Sequence, residues 1–432
     1  MIIMGVSDVR KEFFEGRIKS RELEFAILER VFGKDPEKWS ESNVKAASLR
    51  LEELENKMNK KFEGIRNSYV DNSSVKRDTP TTGIEQKIGG ASVPLGVIGP
   101  VKILGSYAKG EFYLPLATNE AALVAGINRG FKIINEAGGI KSIVVKDHMA
   151  RAPLIETPDP EKAKEISDKI REKRELYQEM KKAAESESRV SRLLDIQPFQ
   201  IGRRVHLRFY FQTGDSMGMN SATKYSANAI KVLREKYPFV RLRSLTGNLC
   251  TDKKASHINV LLGRGKSVET HVVIPREVVK KIFKVEPEII VELNQLKNYQ
   301  GSSLAGTISG FNANVANTIA AMFIATGQDC AQITESSSCF IHAEMQGDNL
   351  IFGVTLPCLE IATVGGGTGF GTAKECLEIL GCYGPGDPPG SNAKKLAEII
   401  GAAVTAQDLN LIAAEAHEYE LAESHIKLAR GK

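Results

Sequence analysis

Charge of one sign is not in excess in this 432-residue sequence: 58 Lys and Arg stand against 53 Asp and Glu. A net charge of +5 is small for this length and argues against the concentrated basic face of a dedicated nucleic-acid binder. A local basic pocket for a phosphorylated ligand stays open. Cysteine is sparse. Cys250, Cys330, Cys339, Cys358, Cys376 and Cys382 form no CxxC pair and no zinc-type ligand set. They read as reduced thiols of a reducing compartment, and no metal site is expected. No apolar run reaches the roughly 18 residues that a bilayer span requires. The N-terminal MIIMGVSDVRKEFFEGR has no signal-type pattern, so the expected compartment is the cytoplasm. Aromatics are few, but 42% hydrophobic residues suffice for a sizeable core. Length suggests two or three domains of about 150 residues each.

Residues from about 7 to 66 are charge-rich with spaced apolar positions and read as several amphipathic helices. A polar break follows near 72–82. GGASVPLGVIGPVKILG then reads as short strands and turns. Residues 117–136 read as helix and SIVVK (142–146) as strand. Between 160 and 184 the spacing of Ile166, Ile170, Tyr177 and Met180 predicts a surface helix with one buried stripe. Its charges are a solvated face. Residues 204–212 alternate, with Val205, Leu207, Phe209 and Phe211 on one side, as a half-buried strand does. That strand runs into a glycine-containing loop and a helix from about 222 to 235, a geometry that presents backbone N–H groups to a ligand. VANTIAAMFIATGQ (315–328) carries no charge and predicts a buried helix, and 396–416 a second apolar one.

Two glycine motifs bear weighing. GRGKS (263–267) resembles part of a phosphate-binding P-loop, but the position needing glycine is Val260, so the match fails. VGGGTGFGT (364–372) does not fit GxGxxG. It reads as a turn or as a loop where a ligand must approach the backbone, and three consecutive glycines favour the latter. Singly, other residues say little. Asp329 reads equally as a desolvated acid or an exposed helix-end carboxylate. TDKK (251–254) reads as a surface turn, and Glu120 and His425 as helix-face residues.

Together the segments EQKIGGASVPLGVIGP, LATNEAALVAGINRG, GDSMGMN, GNLCTDKKASHIN, GRGKSV, TGQDCAQ, LEIATVGGGTG and LAESHI occur in one order. From about Glu85 to Gly431 the sequence resembles class I 3-hydroxy-3-methylglutaryl-CoA (HMG-CoA) reductases in a soluble, archaeal-like form without membrane spans. The resemblance implies an α+β fold: a large domain around a long central helix, with an inserted ferredoxin-like NADP-binding domain that is not a Rossmann fold. The corresponding boundaries are 1–84 for an N-terminal helical segment, 85–151 and 245–432 for the large substrate-binding domain, and 152–244 for the insertion. It also implies a homodimer, able to pair into a dimer of dimers, with the active site at the subunit interface and dimer contacts from the N-terminal helices.

The activity so implied is reduction of HMG-CoA to mevalonate and coenzyme A with two molecules of NADPH, in isoprenoid biosynthesis by the mevalonate pathway. The first hydride makes an oxyanion, which needs a positive charge placed in advance. Lys253 matches the family's catalytic lysine. Asp329 would keep it charged, Glu120 would donate a proton during aldehyde reduction, and His425 would protonate the CoA thiolate from a C-terminal flap. For substrate, the resemblance points to Arg151, Asp252, Lys254, Lys297, Asn317 and Thr246, with Asn128 and Arg129 toward CoA. For NADPH it points to Asp215, Met217, Gly218, Met219 and Asn220, to Gly365, Gly366 and Gly367, and to Ser188 and Arg189 at the 2′-phosphate.

Departures are local. His417 has no clear equivalent, Asn314 stands where a histidine is common, and Gly126 and Thr246 replace a serine and a small hydroxyl contact. Gly431 replaces the regulatory serine of eukaryotic forms, so that phosphorylation switch is expected to be absent. Three competing readings are NAD-dependent mevalonate oxidation, a non-catalytic CoA- or nucleotide-binding regulator, and a structural assembly protein, the last disfavoured by glycine loops with no simple packing explanation. Ser188-Arg189 weigh against the first, and the four intact catalytic residues against the second.

Overall fold

An apolar helix with no polar stripe has to be enclosed, and Ser391–Glu415 is such a helix. A computed structural model, describing residues 5–68 and 84–417, places it at the centre of the largest hydrophobic core. By length and composition it could cross a membrane, yet 89% of its most apolar window is buried inside the protein, as in the core helix of a globular fold. The helix Leu123–Glu136 crosses it so closely that a side chain at Gly130 would collide with the Ala406 carbonyl. The expected C-terminal flap, with His425, lies outside the described residues.

Eleven strands are described. β1 (Leu95–Leu104) and β2 (Lys109–Ala117) form an antiparallel pair. GGASVPLGVIGPVKILG therefore ends in one long strand, interrupted by a register shift between Ile98 and Val101, rather than in several short ones. β3 (Lys141–Arg151), β4 (Leu154–Glu156), β5 (Arg192–Ile201), β6 (Arg204–Gln212), β7 (Arg241–Ser244), β8 (Gly265–Pro275), β9 (Gly310–Phe311), β10 (Cys339–Gln346) and β11 (Asn349–Leu359) join in one sheet. Its order is β7-β4-β6-β3-β8-β11-β10-β9, with β5 on β6.

The stretch β7-β4-β6-β5 is antiparallel throughout. That order is the one of a ferredoxin-like split βαβ unit, and the helices Pro160–Arg171, Glu175–Glu185 and Met219–Lys236 share its separate hydrophobic core. The charged stretch 160–184 is thus two helices, not the single one its spacing suggested. Lys173 takes a left-handed φ of 56° and breaks it, while Ile166, Ile170, Tyr177 and Met180 still form one buried stripe. β3 belongs to both parts of the sheet: Lys141–His148 pair with β8, and Met149–Arg151 with β6. The N-terminal helices Val6–Phe14, Leu23–Arg30 and Trp39–Met58 pack on a third small core, pinned by the buried pair of Arg50 and Glu24 at 2.5 Å.

Candidate active site

The turn before β8 is built from residues that resist its shape. Asn248, Thr251 and Lys253 all have left-handed φ, at 61°, 46° and 59°. Each costs roughly 1 kcal/mol for a residue with a Cβ, so the turn persists only if its surroundings hold it. The shape lifts the Lys253 side chain toward the loop after the helix Val315–Ala325, where its Nζ meets Asp329 Oδ2 at 2.9 Å. Asp329 is fixed by accepting the Ala331 N–H at 3.1 Å through its other oxygen. The hydrogen bond to Asp329 raises the Lys253 pKa above the ordinary lysine value, so the ammonium stays charged.

Beneath this pair lies a charge cluster that the sequence reading missed. Arg264, fully buried, contacts Asp252 at 2.9 Å, Glu335 at 2.5 Å and Glu360. Asp252 also accepts Gln332 Nε2 at 2.9 Å and lies 4.0 Å from Arg151. Burial pushes the Asp252 carboxyl up, but Arg264, Gln332 and Arg151 outweigh it and hold it below the usual carboxylate range. Burial pushes Glu360 well above that range and raises Glu335 as well. The three acids are close enough to suggest a metal site, but Arg264 already occupies the position of the cation. The signal was in GRGKS. Its two basic residues are not phosphate ligands: Arg264 serves this cluster, and buried Lys266 pairs with Asp147 at 2.8 Å.

Arg151, Asp252, Lys253, Asp329, Gln332 and Glu360 line a cleft of about 680 Å³, together with residues 216–221 and Val364–Thr368. Gly218 has φ 86°, and a side chain there would collide with Thr213, so only glycine starts the helix Met219–Lys236 in this way. Backbone N–H groups at that helix start are suited to an anionic ligand. Gly367 and Gly327 touch backbone to backbone with no room for a Cβ on either, which brings the triple-glycine loop against the Asp329 loop. Ser188 and Arg189 line an adjoining cleft of about 310 Å³ that shares Ser216, Ser221 and Val364 with the first.

Of the residues singled out in the sequence, Arg151, Asp252, Lys253, Met217, Gly218, Met219, Asn220, Asp329, Gly365, Gly366 and Gly367 line the main cleft. Asp215 lines the adjoining one, but its carboxylate is already engaged. It accepts N–H groups of Gly386, Gly390 and Ala393 at 2.7–3.0 Å and so caps the central helix. Glu120 is exposed beyond β2 and does not line the cleft. Neither do Lys254, Thr246, Asn128, Arg129, Lys297 and Asn317. Lys254 bonds the Asp252 carbonyl at 2.9 Å, Lys297 pairs with Glu415, and Arg129 lies over the Phe283 ring. A single chain therefore brings together the lysine, its aspartate and the glycine loops, but not the expected acid Glu120.

Comparison with known proteins gives a consistent result. The family model described as hydroxymethylglutaryl-coenzyme A reductase matches residues 46–430. A Pyrococcus abyssi protein named 3-hydroxy-3-methylglutaryl-coenzyme A reductase is 44% identical over 430 residues, covering 99% of this chain and 100% of that protein. The Aeropyrum pernix protein of that name is 48% identical, covering 81% and 82%. Among solved structures, a class II 3-hydroxy-3-methylglutaryl-CoA reductase from Streptococcus pneumoniae bound to NADPH in open conformations superposes with a TM-score of 0.59. It is 20% identical and covers 76% of this chain and 86% of that one.

Proposed function

The chain belongs to the hydroxymethylglutaryl-coenzyme A reductase family, and from that membership and the cleft we propose how it works. It is an NADPH-dependent oxidoreductase that reduces HMG-CoA to mevalonate and coenzyme A, in the manner of class I enzymes. The observation that carries this reading is the Lys253–Asp329 pair set beside the nucleotide-facing glycine loops. The ammonium is held charged where an oxyanion would form on the thioester carbonyl, the requirement for accepting a hydride there. NADPH, when bound, supplies the hydride. The helix start at Gly218 and the 365–367 loop suit its phosphates, and Ser188 and Arg189 the 2′-phosphate.

Arg151 suits the free carboxylate of the substrate. Among the described residues its Nε is buried without a partner, and its remaining contacts are long, 3.8 Å to Cys250 Sγ and 4.0 Å to Asp252. Glu120, Lys297 and Asn317 reach the cleft from a second copy of the chain, so the working unit is a homodimer, located in the cytoplasm. His425 protonates the departing thiolate.

The test follows absorbance at 340 nm with HMG-CoA and either NADPH or NADH. Oxidation of two NADPH per CoA released, lost in Lys253→Ala with cofactor affinity retained, is the expected outcome. Faster turnover of NADH would overturn the 2′-phosphate site. Full activity of Lys253→Ala would overturn the catalytic assignment.

A further inference from the structure

Lys253 is bound twice: its side chain by Asp329 from above, and its backbone from below. The Lys253 N–H donates to Glu335 Oε1 at 2.7 Å. That oxygen also takes Arg264 Nη1 at 2.5 Å, while Oε2 accepts Asn259 Nδ2 at 2.8 Å. The other end of the same guanidinium, Nη2, holds Asp252 at 2.9 Å. One buried cation thus fastens two consecutive residues of a turn whose left-handed φ needs outside support. Glu335 is itself fully buried, so its position is set by the fold and not by solvent.

We propose that Glu335 is a positioning residue of the reaction: its carboxylate fixes the Lys253 backbone so that the ammonium stays on Asp329 and in the cleft. This rests on the reading that Lys253 carries the oxyanion charge. The need is geometric, since a charge displaced by about 1 Å from the developing oxyanion loses much of its effect. Arg264 acts one step further away by holding Glu335. The charged groups that face Lys253 are Asp329, Asp252 and Glu360, and Asp329 dominates. Loss of that partner lowers the pH at which the lysine discharges.

The experiment compares Glu335→Gln with Glu335→Asp in the NADPH assay across pH, with Lys253→Ala alongside. Gln keeps the length and an acceptor oxygen for the Lys253 N–H but lacks the charge. Asp keeps the charge beside Arg264 but withdraws the oxygen. Positioning predicts that Asp is the worse variant, with kcat down on the order of 100-fold, KM for HMG-CoA within about threefold, and the alkaline limb of kcat moved to lower pH. A merely charge-balancing role predicts the reverse order and an unmoved limb, which overturns the proposal. Should Glu335→Asp fail to fold, amide exchange in the unaltered protein decides. The Lys253 N–H must exchange far more slowly than that of Asp252, and equal rates overturn the proposal. If Lys253→Ala is inactive while Glu335→Asp matches the parent enzyme, positioning alone fails. If Lys253→Ala is active, the catalytic reading fails and positioning with it.

Discussion

Arg151 shows how a binding residue differs from a structural one at the scale of a single side chain. Arg264 and Arg151 are both buried, 0% and 6% exposed, but the first is surrounded by carboxylates and the second is not. A buried guanidinium with a donor to spare has an incomplete set of partners, and a carboxylate ligand would complete it bidentately. Arg151→Gln is therefore expected to raise KM for HMG-CoA by about 10- to 100-fold, the equivalent of one charge-assisted interaction, with a smaller change in kcat. Steady-state kinetics at saturating NADPH checks it, and an unchanged KM would remove Arg151 from the substrate site. Nothing in the local sequence around either arginine ranks the two. Arg151 is singled out only by the family resemblance, whereas Arg264 lies in GRGKS, which taken locally reads as a failed phosphate loop. The partners Glu335 and Glu360 lie 71 and 96 residues from it, a separation no local pattern reports.

Between elements, the central helix Ser391–Glu415 does more than fill space. Its fully buried Asp408 accepts the N–H groups of Ala313 at 2.9 Å and Asn314 at 3.1 Å, capping the helix Val315–Ala325 that leads to Asp329. Burial pushes the Asp408 carboxyl up to about 6, against those two hydrogen bonds. In the unfolded chain it ionises near the ordinary aspartate value. Between about pH 4 and 6 the folded state therefore holds a proton that the unfolded state has lost, so stability falls as pH rises through that window. Asp408→Asn should remove this slope, which amounts to roughly 3 kcal/mol for a shift of about two units. Urea midpoints of both proteins from pH 4 to 7 read it directly, and parallel curves would refute it. The helices themselves are legible in composition: 315–325 stands out by lacking charge, and 396–416 by its run of Ala, Leu and Ile. The break at Lys173 was not, because it depends on a backbone angle that lysine adopts rarely and by context.

For the molecule as a whole, the sequence conveyed the architecture through ordered motifs more than through physics. Periodicity found the alternating β6 and the buried helices, while the ferredoxin-like order β7-β4-β6-β5 depends on pairings across some 90 residues. The division of the site between a cleft-lining set and an outlying set has its own test. Lys253→Ala and Glu120→Gln chains, each inactive alone, should regain about a quarter of native activity when unfolded and refolded together in equal amounts. Random pairing makes half the dimers mixed, and each mixed dimer keeps one of two sites intact. No recovery would place Glu120 and Lys253 of the same chain in one site. β3 then takes on a further meaning. Its first eight residues are bonded into the large sheet and its last three into the small unit, ending at Arg151 in the cleft wall. It works as a beam shared by two rooms: the partition cannot shift on one side without loading the other. A substrate carboxylate gripped at Arg151 therefore pulls on the one member common to both frames.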